Sequence, residues 1–169
     1  MKAIYLLRHA KSSWGDMTVD DHDRPLNERG REAGVLMAKH IRDKNLIADL
    51  VICSTAARAR QTLQCLQSIL GDDIPVRFEG DLYMASPKKM LKILSHIDDR
   101  ASSAMLIGHN PGMHMLAVAM AKTGDHESFE RLHAKYPTAA LTALTSAADR
   151  WRDVNDCNLE SFVCPGDIE

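Results

Sequence analysis

Nowhere in its 169 residues does the chain hold an unbroken apolar run near the roughly 20 residues needed to cross a bilayer. Its first residues read as a strand, not as a charged, then apolar, then small-residue leader. No membrane association and a cytoplasmic location are therefore expected. One-sided charge is also missing: 21 Lys plus Arg against 23 Asp plus Glu leave a net charge of -2. No global basic field exists for nucleic acid or anionic lipid, so any anion site must be local. The four cysteines, Cys53, Cys65, Cys157 and Cys164, include no Cys-x-x-Cys pair. Reduced thiols packed as small hydrophobes are expected in place of a disulfide or a zinc site. No Gly-rich phosphate fingerprint follows the first strand, which excludes P-loop and dinucleotide-binding enzymes. No repeat, low-complexity tract or linker divides the chain, and its length suits one domain over 1–169.

What is present is an alternation of apolar runs and amphipathic segments. Strands are expected at 2–8, 48–54, 75–79 and 103–108, helices at 27–45, 57–70, 86–96 and 110–122. The runs 139–144, 150–154 and 160–163 read as short strands completing or edging the sheet. This order predicts an α/β fold, a three-layer α/β/α sandwich around a mostly parallel central sheet. Open sheets of that kind bind ligands beyond the carboxyl ends of their strands, and three strand ends carry basic or imidazole residues.

The first end delivers Arg8 and His9 after Ile4-Tyr5-Leu6-Leu7. Arginine is a fixed fork of donors for phosphate oxygens, and a neutral imidazole beside it is a nitrogen nucleophile. The second end, Leu50-Val51-Ile52-Cys53-Ser54, runs into a helix with Ser54 or Thr55 as its expected N-cap and Arg58 in its first turn. A cation there opposes the helix dipole, so an anion held nearby is the better explanation for it. The third end is Gly108-His109, followed by Pro111 near a helix start. The loop 11–26 between the first strand and first helix is polar and long, and is expected to cover the pocket mouth.

Arg8-His9, the pattern Ser54-x-x-x-Arg58-Ala59-x-Gln61-Thr62 and Gly108-His109 resemble the histidine phosphatase superfamily. More narrowly, Arg8-His9-Ala10-Lys11-Ser12-Ser13-Trp14, Asp21-His22-Asp23-Arg24-Pro25-Leu26, Leu82-Tyr83-Met84-Ala85, Tyr136-Pro137-Thr138-Ala139 and Trp151 resemble the SixA-type phosphohistidine phosphatases. The resemblance spans nearly the whole chain in order. It implies a phosphoglycerate-mutase-like fold, with His9 as nucleophile and Arg8, Arg58 and His109 around the phosphoryl oxygens. It also implies no cofactor and a phosphorylated substrate such as a histidine-phosphorylated signalling or phosphotransfer protein. His109 is expected to donate to phosphate, as the neutral ring or as imidazolium.

The proton donor is less plain. Larger members of the superfamily carry a Glu where this chain has Met84, so Asp21 stands first for that role and Asp23 second. A phosphoramidate expels its nitrogen readily once protonated and asks less of an enzymic acid, which favours phosphohistidine over ordinary esters. A small-molecule phosphomonoesterase and a non-catalytic phosphate sensor are the competing readings; a mutase would need longer insertions around its pocket. The consecutive acids Asp20, Asp21 and Asp23 lack a calcium-loop pattern, and His109 and His114 are five residues apart, so no metal is expected. His22 is read as an exposed polar residue, and a monomer is the default.

Overall fold

The structure, a computed structural model, describes residues 1–168. Seven strands form one sheet in the order β3-β2-β4-β1-β6-β7-β5. They are β1 (Lys2–Arg8), β2 (Leu50–Ser54), β3 (Val76–Glu79), β4 (Ser103–Gly108), β5 (Ala121–Gly124), β6 (Leu141–Ser146) and β7 (Cys157–Val163). β1 pairs parallel with β4, β4 with β2, and β2 with β3, while β6 runs against both β1 and β7. The parallel half needs helical crossovers, supplied by α1 (Glu28–Asp43), α2 (Ala57–Leu70) and α3 (Pro87–Ser95); α4 (Gly112–Met120) and α5 (His126–Ala134) follow β4.

Successive residues of β1 serve opposite layers, as the period of a strand requires. Ile4 and Leu6 pack with Met90, Leu94, Met113, Leu116 and Leu132 from α3, α4 and α5. Tyr5 and Leu7 pack with Met37, Ile41, Leu63 and Leu66 from α1 and α2. Both sheet faces are thus covered, giving the expected three layers with β1 near the centre and its carboxyl end opening at one edge.

Three expectations fail locally. The fourth helix stops at Met120, because Ala121–Gly124 leaves it to pair in parallel with β7 at the sheet edge. The segment 150–154 is a 3-10 turn, not a strand. The buried Trp151 fixes it, its backbone N–H donating to Asp99 (2.8 Å) and its indole N–H to the Ala101 carbonyl (2.9 Å). The helix α5, capped by the Asp125 carboxylate on the Ser128 N–H, was not foreseen. The cysteines are all free, and Cys53, Cys65 and Cys157 are buried.

Candidate active site

The carboxyl ends of β1, β2 and β4 meet in a pocket of about 410 Å³ walled by Arg8, His9, Arg58 and His109 together with Asp21 and Arg24. The loop 11–26 supplies further walls through Lys11, Ser12 and Trp14, which places it over the mouth as expected.

His9 leaves β1 with its backbone N–H on the Gly108 carbonyl (3.0 Å). Its ring Nδ1 lies 2.7 Å from the Ala10 carbonyl. A carbonyl only accepts, so Nδ1 carries the proton and the lone pair is on Nε2. That nitrogen faces the pocket and accepts from Arg58 Nε at 3.3 Å. Burial first, and then the Arg58, Arg8 and Arg24 charges, lower the His9 pKa to about 4 against the backbone bond that raises it. The ring is therefore neutral near pH 7.

The motif residues around Arg58 each have a mechanical task. Thr62 Oγ1 accepts from the Ala10 N–H (2.9 Å) and donates to the Arg58 carbonyl (2.8 Å), tying the exit of β1 to the first turn of α2. Gln61 Oε1 accepts from the Leu26 N–H (2.8 Å) and anchors the pocket loop to the same helix. Gly30 lets α1 approach that loop: a Cβ there would lie 2.0 Å from the Lys11 carbonyl oxygen. Neither Ser54 nor Thr55 caps α2. The N-cap is Ala56, without a side-chain bond, because the Ser54 hydroxyl is turned to His109 Nε2 at 2.7 Å. Ser54 Oγ also accepts from the Ala56 N–H at 3.3 Å, which leaves its own proton for His109. The remaining ring nitrogen, Nδ1, is a buried donor without a partner, and the His109 and His9 ring centres lie 5.1 Å apart. Burial, then the His9 and Arg58 charges, lower the His109 pKa to about 3, so the ring is neutral near pH 7 beside those groups.

Arg8 donates through Nη1 to the Tyr136 carbonyl (2.9 Å), while its buried Nε has no partner. Tyr136 is itself fixed by donating to the Leu6 carbonyl (2.6 Å) and accepting from Thr142 (2.9 Å). Burial, with Arg58 nearby, lowers the Arg8 pKa from its ordinary value, but a guanidinium stays cationic.

Asp21 is engaged by three donors. Tyr83 donates its phenolic proton to Oδ2; Arg58 Nη2 also reaches Oδ2 at 3.0 Å, and Arg24 Nη2 reaches Oδ1 at 3.1 Å. These donors, Tyr83 foremost, hold the carboxyl well below the usual carboxylate range. Asp21 is an anion clamping Arg58, whose Nη1 also donates to the Asp21 carbonyl (2.7 Å).

Two residues at or near the pocket escape sequence reasoning. Arg24 is a third guanidinium: it donates to Ser12 Oγ, stacks on the Trp14 ring at 3.6 Å and buries an unpartnered Nε. In the sequence it is one arginine in a polar, acidic loop, and its burial follows only from the way that loop folds over the site. His22 is not merely exposed: its Nε2 lies 2.9 Å from Thr55 Oγ1 and its ring meets Tyr83 edge-on at 4.9 Å. Met84 occupies its place with a left-handed φ of 51° and lines the mouth. Among the described residues, no three of His, Cys, Asp or Glu converge as a metal would require, and no helix is long and apolar enough to cross a membrane.

Comparison with known proteins agrees with this geometry. The family model of the histidine phosphatase superfamily (branch 1) matches residues 4–83. An uncharacterized protein of Mycobacterium tuberculosis is 38% identical over 151 residues, covering 88% of this chain and 91% of its own. The SixA crystal structure from Agrobacterium tumefaciens superposes with a TM-score of 0.81 at 32% identity, covering 97% of this chain and 98% of that one. The protein histidine phosphatase SixA complexed with tungstate shares the fold, with a TM-score of 0.78 at 18% identity over 97% of each chain. The chain belongs to the histidine phosphatase superfamily and is a histidine-nucleophile phosphatase of phosphoglycerate-mutase-like α/β fold.

Proposed function

We propose that the protein removes the phosphoryl group from phosphohistidine on a protein, through a covalent intermediate on His9. The observation that carries this reading is the pairing of a neutral His9, its unprotonated Nε2 held by Arg58, with a pocket whose carboxylate, Asp21, is held ionised.

In the first step His9 Nε2 attacks phosphorus in line, a P–N bond forms to His9, and the P–N bond to the substrate imidazole breaks. The substrate ring leaves neutral when it reacts as the phosphoimidazolium, with a proton on its other nitrogen. That proton can come from solvent before the step, which asks less of an enzymic acid, in keeping with an ionised Asp21 and with Met84 in place of the Glu that the family resemblance leads one to expect. Arg8 and Arg58 with the His109 Nδ1–H surround the equatorial oxygens, whose charge they stabilise in a partly dehydrated site; Arg24 adds a third cation. In the second step water attacks phosphorus, the bond to His9 breaks with its electron pair returning to Nε2, and dihydrogen phosphate leaves. Asp21 serves to hold Arg58 in the free site, and it gains a proton only where a phosphoryl dianion displaces it from that guanidinium. The exposed Trp14 (75%) and Met84 (51%) at the mouth favour a protein-borne substrate, since isolated apolar side chains there gain cover from a macromolecular surface.

Turnover of a phosphohistidine peptide, para-nitrophenyl phosphate and a panel of small phosphate esters, compared on one preparation, tests the reading. The highest kcat/KM is expected on the peptide, with all activity lost in a folded His9→Ala variant. A small ester preferred over the peptide would replace the substrate assignment; substantial activity in His9→Ala would remove the nucleophile.

A further inference from the structure

Beside the catalytic pocket lies a second concavity of about 590 Å³ that shares Lys11 and Thr138 with it as common walls. Four cations line it: Lys11 from the loop after β1, Arg29 from α1, Arg131 from α5, and Lys135 just beyond α5. Its one carboxylate among the described lining residues, Asp167, is already engaged by Arg131 and by the Cys164 N–H (2.8 Å). Lys11, Arg29 and Lys135 are exposed, and none of them enters an ion pair among the described residues. In a chain of net charge -2 this is a local excess of positive charge placed next to the site of reaction.

We propose that this groove docks acidic side chains of the protein that carries the phosphohistidine. The inference rests on the substrate reading above and adds to it a charge requirement in the concavity that shares Lys11 and Thr138 with the catalytic pocket. A carrier protein fits better than the second anionic group of a small molecule. Small-ligand sites hold compact anions with buried, aimed donors, whereas among the described residues the unpartnered buried donors belong to Arg8, Arg24, Arg77 and His109, none of which lines the groove. The groove presents exposed cations spread over separate elements, a pattern that attracts and orients an oppositely charged surface without a large desolvation cost. Such charges act chiefly on encounter and on KM, and they lose their reach as salt shortens the screening length.

The test uses the full chain and two phosphohistidine peptides of equal length, one flanked by Asp and Glu, the other by Asn and Gln. Wild type is expected to prefer the acidic peptide by about tenfold in kcat/KM at low salt, mostly through KM, with the preference fading near about 1 M salt. Arg29→Glu combined with Lys135→Glu is expected to abolish or invert the preference and to leave para-nitrophenyl phosphate turnover within about twofold, since bulk rim charge does not touch the reacting atoms. The charge-keeping pair Arg29→Lys with Lys135→Arg should retain the preference. Equal kcat/KM on the two peptides, or equal loss on peptide and para-nitrophenyl phosphate in the Glu pair, overturns the groove alone. Failure of both peptides with turnover of the ester overturns the substrate reading and the docking site with it. A preference for fructose 1,6-bisphosphate over fructose 6-phosphate that vanishes in the Glu pair would reassign the groove to a small bis-anion. Co-sedimentation with phosphatidylserine vesicles that vanishes in the Glu pair, without any peptide preference, would reassign it to a membrane surface.

Discussion

Acidification should unfold this protein partly through its own nucleophile. An imidazole in the unfolded chain takes up its proton near about pH 6.5, but in the folded protein His9 does so only near about 4. Between those values the unfolded state binds more protons, so stability is complete above the upper value and declines as pH falls toward the lower one. One such group contributes a slope of about 1.4 kcal/mol per pH unit, or about 3 kcal/mol across the whole window. His109, lowered to about 3 mainly by burial, adds a second proton of the same sign and extends the window downward. Asp21, held low by Tyr83, Arg24 and Arg58, also favours the folded state at neutral pH, and its contribution is lost only in stronger acid. The experiment is urea unfolding of wild type and His9→Gln at several pH values between about 7 and about 4.5, the interval the linkage argument defines. Wild type should lose stability faster on acidification than the variant, by about 1.4 kcal/mol per pH unit. Parallel stability curves for the two proteins would refute the buried, neutral state of His9. The same cause should place the acid limb of kcat/KM well below the ordinary histidine range, because the free enzyme's nucleophile stays deprotonated there.

Three substitutions probe the neighbours of that ring. Thr62→Val removes the one hydroxyl that joins the Ala10 N–H to the Arg58 carbonyl, leaving a buried donor unpaired; a loss of about 1–3 kcal/mol in denaturant unfolding is expected, and an unchanged midpoint would contradict the bridge. Gly30→Ala forces a Cβ to within 2.0 Å of the Lys11 carbonyl oxygen. Backbone must shift there, so the variant should lose about 1–3 kcal/mol and bind orthovanadate more weakly as the pocket loop moves; full retention of both properties would show that the loop is not held by this contact. Asp21→Asn keeps the shape of a residue whose carboxylate is 47% exposed. Its phosphohistidine turnover should fall by less than about tenfold, short of the range typical for loss of a general acid, and a loss above a hundredfold restricted to that substrate would restore Asp21 as donor.

Much of the architecture was legible because buried parallel strands and amphipathic helices leave strong periodic signals. β4 and α2 have the bounds expected of them, and Arg8, His9, Arg58 and His109 line one pocket because the carboxyl ends of β1, β2 and β4 share an edge. The helix α5 was missed because its short pattern, with Leu132 its one buried residue, offers little apolar periodicity. The strand β5 reads as a continuation of α4, since Ala121 and Lys122 suit a helix as well and the deciding pairing with β7 is remote in sequence. Trp151 gave an aromatic strand signal that its hydrogen bonds to Asp99 and Ala101 override. The N-cap of α2 went wrong for a functional reason: Ser54 is spent on His109, so local capping propensity yields to the site. Arg24 as a pocket group, and His22 and Tyr83 as its neighbours, were illegible because their placement depends on how the loop 11–26 folds back, and that is decided by Gln61, Gly30 and Asp21, not by periodicity.

The central claim is a covalent bond between phosphorus and one nitrogen. Rapid acid-free quenching of the protein with phosphohistidine substrate, followed by mass spectrometry and phosphorus NMR of the intact chain, reads that bond directly. The account predicts an acid-labile, alkali-stable phosphoramidate on Nε2 of His9 that is absent from His9→Gln. Phosphate found on Nδ1, on another residue, or not at all during steady turnover would contradict it.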